Sequence, residues 1–239
     1  MKALIVLLAT GTVMLAQTPA PTKSAAPATK APAANPLLHP AGLTAKAPAE
    51  FKVKFTTTHG DFVVAVHRDW SPLGADRFYN LVRNRFFTNA AFFRIVPNFI
   101  VQFGMSADPK VGAVWQDASI KDDPVKPANS NKKGTLVFAT SGPNTRTTQL
   151  FINLKDNTPL DAQGFTAFGE VTEGMDVVTG LFAGYGEQPQ QQLITQQGKA
   201  YLDKNFPKLD SVKSAVVLPA EGAPAAAPAK SAAPAAKKQ

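Results

Sequence analysis

Phe51, Val53 and Phe55 alternate with polar residues, the chain turns through Thr58-His59-Gly60-Asp61, and Phe62, Val64 and Val66 resume the alternation. A period of two puts every second side chain on one face of a strand, so two such runs joined across a glycine turn predict a β-hairpin with one apolar face. This commits the start of the folded region to antiparallel sheet. Apolar stretches at 135–139, 149–153, 166–171 and 209–218 read as further strands, as do the two that flank Val96-Pro97-Asn98, a turn signal. Helical spacing is sparse. One amphipathic helix is expected over about 72–86, with Ser71 as N-cap, Pro72 as first residue, and Phe78, Leu81, Val82 and Phe86 on its apolar face. A second is expected around 173–182, and a shorter helical piece near 199–205 is stopped by Pro207. Residues 104–134 are rich in Asp, Lys, Pro, Gly and Asn without a sustained period and read as surface loop, with Asp122-Asp123 simply solvated. So many strands with two substantial helices argue against a doubly wound parallel sheet and for a mainly β barrel or sandwich capped by helices.

Composition sets the limits of that fold. Residues 17–48 and 219–239 are almost wholly Ala, Pro, Lys, Thr and Ser, and hold 11 of the 20 prolines. They bury too little apolar surface to offset the entropy of ordering, so they are expected to be disordered linker and tail around one domain at 49–218. The first 16 residues, Met1-Lys2 followed by an apolar run, read as a signal peptide with a small residue at Ala16 or Ala20 for cleavage. An uncleaved anchor is the alternative. With cleavage the protein is exported, periplasmic or secreted, with no membrane span in the mature chain. The chain has no cysteine, so neither a disulfide nor thiol chemistry is available.

The formal charge of +8 suggests nucleic acid until it is located. Outside 49–218 there are seven lysines against Glu221, which leaves the domain only +2. Sparse lysines in a Pro/Ala tail are not a basic face, and no specific nucleic-acid partner is expected. Three histidines, two of them flanking a hairpin strand, do not suggest a metal site. Neither a Gly-x-Ser-x-Gly elbow nor a P-loop is present.

What remains is an arginine in an unusual place. In FFRIVPNFIVQFG, Phe92 to Gly104, Arg94 stands among apolar and aromatic residues and Gln102 follows. Such an arginine either snorkels its head to water along an apolar stem or presents its fork of donors to a ligand. Two further stretches accompany it: GTLVFATSGPNTRTTQLFIN from Gly134 and LDAQGFTAFGEV from Leu160. Together the three resemble the cyclophilin family of peptidyl-prolyl isomerases, with segments of the form Phe-x-Arg-apolar-apolar-Pro-x-Phe-apolar-x-Gln-x-Gly, then Gly-Pro-Asn followed by Gln-apolar-Phe-apolar, then Leu-Asp and Phe-Gly-x-Val in that order. YLDKNFPKLD, from Tyr201, also looks like the ending of bacterial members.

The resemblance implies a closed eight-stranded antiparallel β-barrel with a helix at each end and a pocket on its outer face. It implies isomerisation of X-Pro peptide bonds by a monomer without cofactor, acting on proline-containing unfolded or extended polypeptides. Arg94 matches the catalytic arginine. Phe99, Ile100, Phe151, Leu160 and Phe165 match the proline slot, Gln102 and main-chain groups near Ala139 and Thr140 the substrate-backbone contacts, and Gln149 the neighbouring cleft. Pro159 stands where many eukaryotic members have tryptophan, which implies weak cyclosporin binding. Phe165 replaces a histidine and Thr140 an asparagine. The competing reading is a non-catalytic chaperone module that binds Pro-peptides, and the retention of Arg94 weighs against it.

Overall fold

The computed structural model describes residues 35–220. The expected signal peptide at 1–16, the part of the expected linker over 17–34 and the part of the expected tail over 221–239 lie outside the described residues.

The elements run β1 (Glu50–Thr57), β2 (Asp61–His67), α1 (Pro72–Arg83), β3 (Arg94–Val96), β4 (Ile100–Phe103), α2 (Pro109–Trp115), β5 (Thr135–Phe138), β6 (Leu150–Asn153), β7 (Ala167–Glu173), α3 (Met175–Gly180), α4 (Gln191–Gln197), α5 (Lys199–Asn205) and β8 (Val212–Val217). The predicted hairpin is β1–β2, in the register Phe51↔Val66, Val53↔Val64 and Phe55↔Phe62. It stacks the Phe55 and Phe62 rings 4.8 Å apart. All eight strands form one antiparallel sheet in the order β3-β4-β6-β5-β7-β2-β1-β8. The end strands do not form a ladder with each other, so the expected closed barrel is corrected to a curled sheet. β3 is only three residues long, and an isolated bridge, Ala91↔Ser211, spans the seam just before β3 and β8 begin.

The concave side holds the main core. Phe55, Phe62, Phe78, Phe87, Phe92, Phe103, Phe138 and Phe168 are all fully buried, with Leu81 and Leu136 among them. α1 lies against β7 and β8, with Phe78, Leu81 and Val82 as its buried residues.

Four further expectations need correction. Among the described residues there are five α-helices rather than the three helical segments expected, because α2 and α4 are single short segments of seven residues without a readable period. α2 begins at an Asp108 N-cap inside the supposed 104–134 loop, and its Trp115 is buried. The boundary at residue 49 is also misplaced: residues 35–48 belong to the fold. Leu37 and Leu43 pack on the core, Trp115 Nε1 donates to the Leu37 carbonyl at 2.8 Å, and Asp76 and Asn80 of α1 accept from the Ala47 and Ala45 N–H groups. Proline and alanine dominate that segment, but two leucines and a buried tryptophan suffice to order it.

The remaining two corrections concern helix capping and the Asp122-Asp123 pair. Ser71 occupies the N-cap position with Pro72 first in the helix, as expected, but its side chain makes no capping hydrogen bond; its hydroxyl donates to the Ala167 carbonyl at 2.8 Å. The cap comes from Asp123, whose carboxylate accepts from Leu73 N–H (3.0 Å) and Gly74 N–H (2.9 Å). Asp123 is therefore not a solvated loop residue. It is buried, and it pairs with the equally buried Arg146 at 3.0 Å, while Asp122 lies 3.3 Å from Arg146 Nε. Negative charge at a helix N-terminus and against a buried guanidinium is stabilised twice over. Asp123→Ala removes the cap and strands a buried cation, so it is expected to lower unfolding stability by about 3–5 kcal/mol, read as a drop in the urea midpoint at constant m-value.

Candidate active site

The site is built on the convex face of the same sheet. Register aligns Arg94 with Gln102, Gln102 with Phe151, Phe151 with Val137, and Val137 with Ala167, so one row crosses five strands. Alternation then sorts the neighbours. Val101 and Phe103 of β4 and Leu150 and Ile152 of β6 face the main core, while Ile100, Gln102 and Phe151 face outward. This is why every residue of these two strands is buried.

The β3–β4 turn sets the register of the row. Pro97 and Asn98 are its central residues, Asn98 takes a positive φ of 59°, and Phe99 N–H closes on the Val96 carbonyl at 3.0 Å. Proline at the first central position and asparagine at a left-handed second one are what such a turn requires. At the other end of β4, Gly104 has φ 94°, and a Cβ there would lie 2.5 Å from the Thr148 carbonyl. The glycine thus lets the 147–149 segment lie flat against the strand.

The expected slot residues come together. Ile100, Phe151, Val137 and Ala167 form a buried outer cluster against which Phe99, Ala139, Leu160, Phe165 and Trp70 pack. The Phe151 and Phe165 rings meet edge to face at 5.7 Å. Trp70, half-buried and stacked on His67 at 4.3 Å, extends the apolar surface and was not legible as a site neighbour from its place at the start of a helix.

Behind the slot runs a polar network that the sequence did not disclose. Asp161 accepts from the Asn131 backbone N–H (2.8 Å) and side chain (2.7 Å) and from the Ser130 hydroxyl. Asn131 donates to the Phe165 carbonyl (2.8 Å), Asn153 donates to Asn131 (3.1 Å), and Asn157 donates to Asn153 (2.7 Å) and to the Phe99 carbonyl (2.9 Å). Asn131 and Asn153 are completely buried. Buried amides of this kind are tolerable only because they are paired, and here the pairing pins the backbone of three slot residues: Phe99, Phe165 and, through Asn157 O, Leu160.

Alongside the slot lies a chain of polar side chains. Arg94 Nη1 donates to Gln102 Oε1 at 3.1 Å, Gln102 Nε2 to Gln149 Oε1 at 2.8 Å, and Gln149 Nε2 to Gln191 Oε1 at 3.0 Å. On its other edge Arg94 Nε donates to Glu187 Oε1 at 2.6 Å, and Nη2 contacts the same oxygen. Glu187 and Gln191 come from the 183–198 region and were missed, since their approach to β3 and β4 depends on tertiary packing. Gln102, Gln149 and Gln191 line a polar groove of about 150 Å³ with Ala139, Thr140, Ser141, Thr145 and Thr147.

Two expected contacts are qualified by the geometry. The Ala139 N–H already donates to the Gln149 carbonyl at 2.9 Å, and the Thr140 hydroxyl is tied into its own turn, 2.7 Å from the Thr145 hydroxyl. The 140–148 turn is held to the body by Arg146 and by Arg77, which donates to the Ala118 (2.6 Å) and Thr147 (2.9 Å) carbonyls. Burial, and then the charge of Arg146, pull the Arg77 guanidinium down to about 10, so it stays protonated at neutral pH. Among the described residues no three His, Cys, Asp or Glu side chains converge as a metal site.

An apolar cluster on the outer face, a half-buried arginine at its edge and a polar groove beyond it make up the candidate site. The comparisons identify the family. The sequence model described as "Cyclophilin type peptidyl-prolyl cis-trans isomerase/CLD" matches residues 52–197. The chain belongs to the cyclophilin-type peptidyl-prolyl cis-trans isomerases. It is 35% identical over 141 residues to a peptidyl-prolyl cis-trans isomerase of Acinetobacter baylyi, covering 57% of this chain and 74% of the relative. It is 32% identical over 162 residues to peptidyl-prolyl cis-trans isomerase B of Escherichia coli, covering 60% and 96%. In fold it is similar to a cyclophilin-type isomerase of Cryptosporidium parvum, at a TM-score of 0.53 and 19% identity over 72% of this chain and 99% of that one. A second structure of that protein, in the presence of the dipeptide Ala-Pro, matches at 0.53 and 18%, covering 71% and 99%.

The Asp161 network makes an acid-range prediction. Burial by itself would raise the Asp161 carboxyl, but the hydrogen bonds from Asn131 and Ser130 outweigh it and hold the group below its usual value. A folded-state value below the unfolded one contributes stability that is fully present above about pH 4 and is lost as pH falls through the folded value. The Phe165 and Leu160 amide signals are expected to stay constant from pH 7 to about 5 and to move with this titration below about pH 4. Asp161→Asn should remove that pH dependence.

Proposed function

We propose that this isomerase accelerates cis/trans exchange at X-Pro bonds of extended or unfolded exported proteins by donating a hydrogen bond from Arg94 to the prolyl nitrogen. Resonance in the C–N bond sets a barrier of about 18–20 kcal/mol. Acceleration by about five decades needs about 7 kcal/mol of transition-state stabilisation. No bond is broken, so neither a nucleophile nor a general base is required. As the amide twists, the nitrogen regains its lone pair and becomes an acceptor, which the planar ground state does not offer. A donor that meets only the twisted form stabilises the transition state selectively.

The observation that carries this reading is the guanidinium's position. Arg94 lies across from Gln102 in the strand register, beside the outer cluster of Ile100, Phe151, Leu160 and Phe165, and is gripped on both sides. Of its five N–H donors, Nε is taken by Glu187 and one on each Nη is engaged by Glu187 or Gln102. Two remain, one on each Nη, for a substrate. The apolar cluster would hold the proline ring, and Gln102 with the main chain of the 139–140 turn would hold the flanking peptide. The presence of Ala-Pro with the Cryptosporidium relative supports a proline-containing ligand. The pocket lacks the tryptophan that Pro159 replaces, so cyclosporin is expected to bind weakly.

Two experiments test this. In exchange NMR on a short proline peptide, Arg94→Ala should lower the catalysed rate by about a hundredfold or more while the protein stays folded. If the folded wild type binds the peptide without speeding exchange, the site is a peptide-binding module instead. For export, mass spectrometry of protein taken from the envelope fraction of its native cell should find a mature N-terminus after Ala16 or Ala20. Recovery of the intact N-terminus from the cytoplasm would exclude export.

A further inference from the structure

We propose that Glu187, with the groove beside it, selects client segments that carry lysine or arginine close to the isomerised proline and disfavours segments with acidic residues there. The proposal rests on the reading that the proline sits in the slot beside Arg94.

Glu187 is held in place by its surroundings. The 183–190 loop is tied to β3 by the Ile95 N–H, which donates to the Gly186 carbonyl at 3.3 Å. Tyr185 is packed edge to face between Phe182 and Phe206, each at 5.1 Å. Between this loop and β3 opens a groove of about 510 Å³, lined by Ile95, Val96, Pro97, the 183–186 backbone with Tyr185, Glu187 and Gln188. It has room for a long side chain. Glu187 is the one carboxylate among the described residues lining it, and none of them is cationic.

The carboxylate has capacity for a second cation. Its hydrogen bond and its ion-pair contact with Arg94 both fall on Oε1, and its side chain is 62% exposed. A lysine or arginine entering the groove can lay its aliphatic stem along Val96, Pro97 and Tyr185 and bring its charge to Oε2. An acidic side chain meets a like charge there, and the Arg94 charge that would otherwise attract it is already neutralised by Glu187. The mechanism needs Arg94 as a donor, not as an anion trap, so this pairing suppresses an unwanted specificity while leaving two N–H groups for catalysis.

The test compares proline peptides with Lys, Ala or Glu placed at either of the two positions before or after the Xaa-Pro unit, using the full chain and exchange NMR. Wild type is expected to prefer Lys over Glu about fivefold to tenfold in kcat/KM at one or more positions at low salt, and the preference should shrink as ionic strength rises. Glu187→Gln should bring that ratio to within about twofold of one, and Glu187→Lys should invert it. A wild-type ratio near one at every position, or a ratio that survives Glu187→Gln, overturns the proposal. The alanine peptide separates the two readings: if wild type fails to isomerise it, the catalytic role proposed for the site fails. The same Lys-to-Glu ratio, read from peptide-induced chemical-shift titrations, then decides the selectivity by itself.

Discussion

The pleat of β4 and β6 is the constraint on which the rest depends. These two adjacent strands are only four residues long, yet each carries part of two different apolar layers. Phe103, Val101, Leu150 and Ile152 close the main core, while Ile100, Gln102 and Phe151 make the floor of the site. A slip of one residue in this pairing would turn Phe103 to solvent and Gln102 into a cluster of phenylalanines. The register is therefore enforced by the cost of burying a glutamine and exposing aromatic rings. The Pro97-Asn98 turn and Gly104 set its two ends. Stability and site geometry are consequences of the same register.

Polar groups do the positioning that apolar packing cannot. The slot is lined by rings and branched chains that would tolerate several arrangements, but the backbones of Phe99, Leu160 and Phe165 are fixed by Asn131, Asn153, Asn157 and Asp161. On the opposite side, Asp123 joins the start of α1 to Arg146, and Arg146 holds down the turn that walls the polar groove. Buried polar networks are costly if any member is unpaired, so they specify one arrangement sharply. That sharpness holds the apolar cluster of the outer face in one geometry.

Arg94 brings a charge to the edge of the apolar cluster, and Glu187 and Gln102 fix its fork of donors. Its cost is an electrostatic field that would attract acidic peptides irrespective of proline. Glu187 offsets that charge locally, and the 183–198 region supplies both Glu187 and Gln191, which end the polar chain that runs through Arg94, Gln102 and Gln149.

The strand pattern, the β1–β2 hairpin and α1 were legible in the sequence because period-two and period-3.6 repeats are local properties. So was the family, since Arg94, Gln102, Phe151 and Phe165 stand in ordered segments that resemble it. Three things were not. Residues 35–48 looked like linker because composition hides the two leucines that find a hydrophobic seat against α2 and the core. Asp122-Asp123 looked solvated because its partner, Arg146, is more than twenty positions away. Glu187 looked like a loop residue because nothing along the chain relates it to Arg94. The sequence by itself determined which residues would be apolar on which face of which element. Only the tertiary structure decided which distant charges and amides would meet, because such pairs depend on how the elements pack, and packing has no period to read.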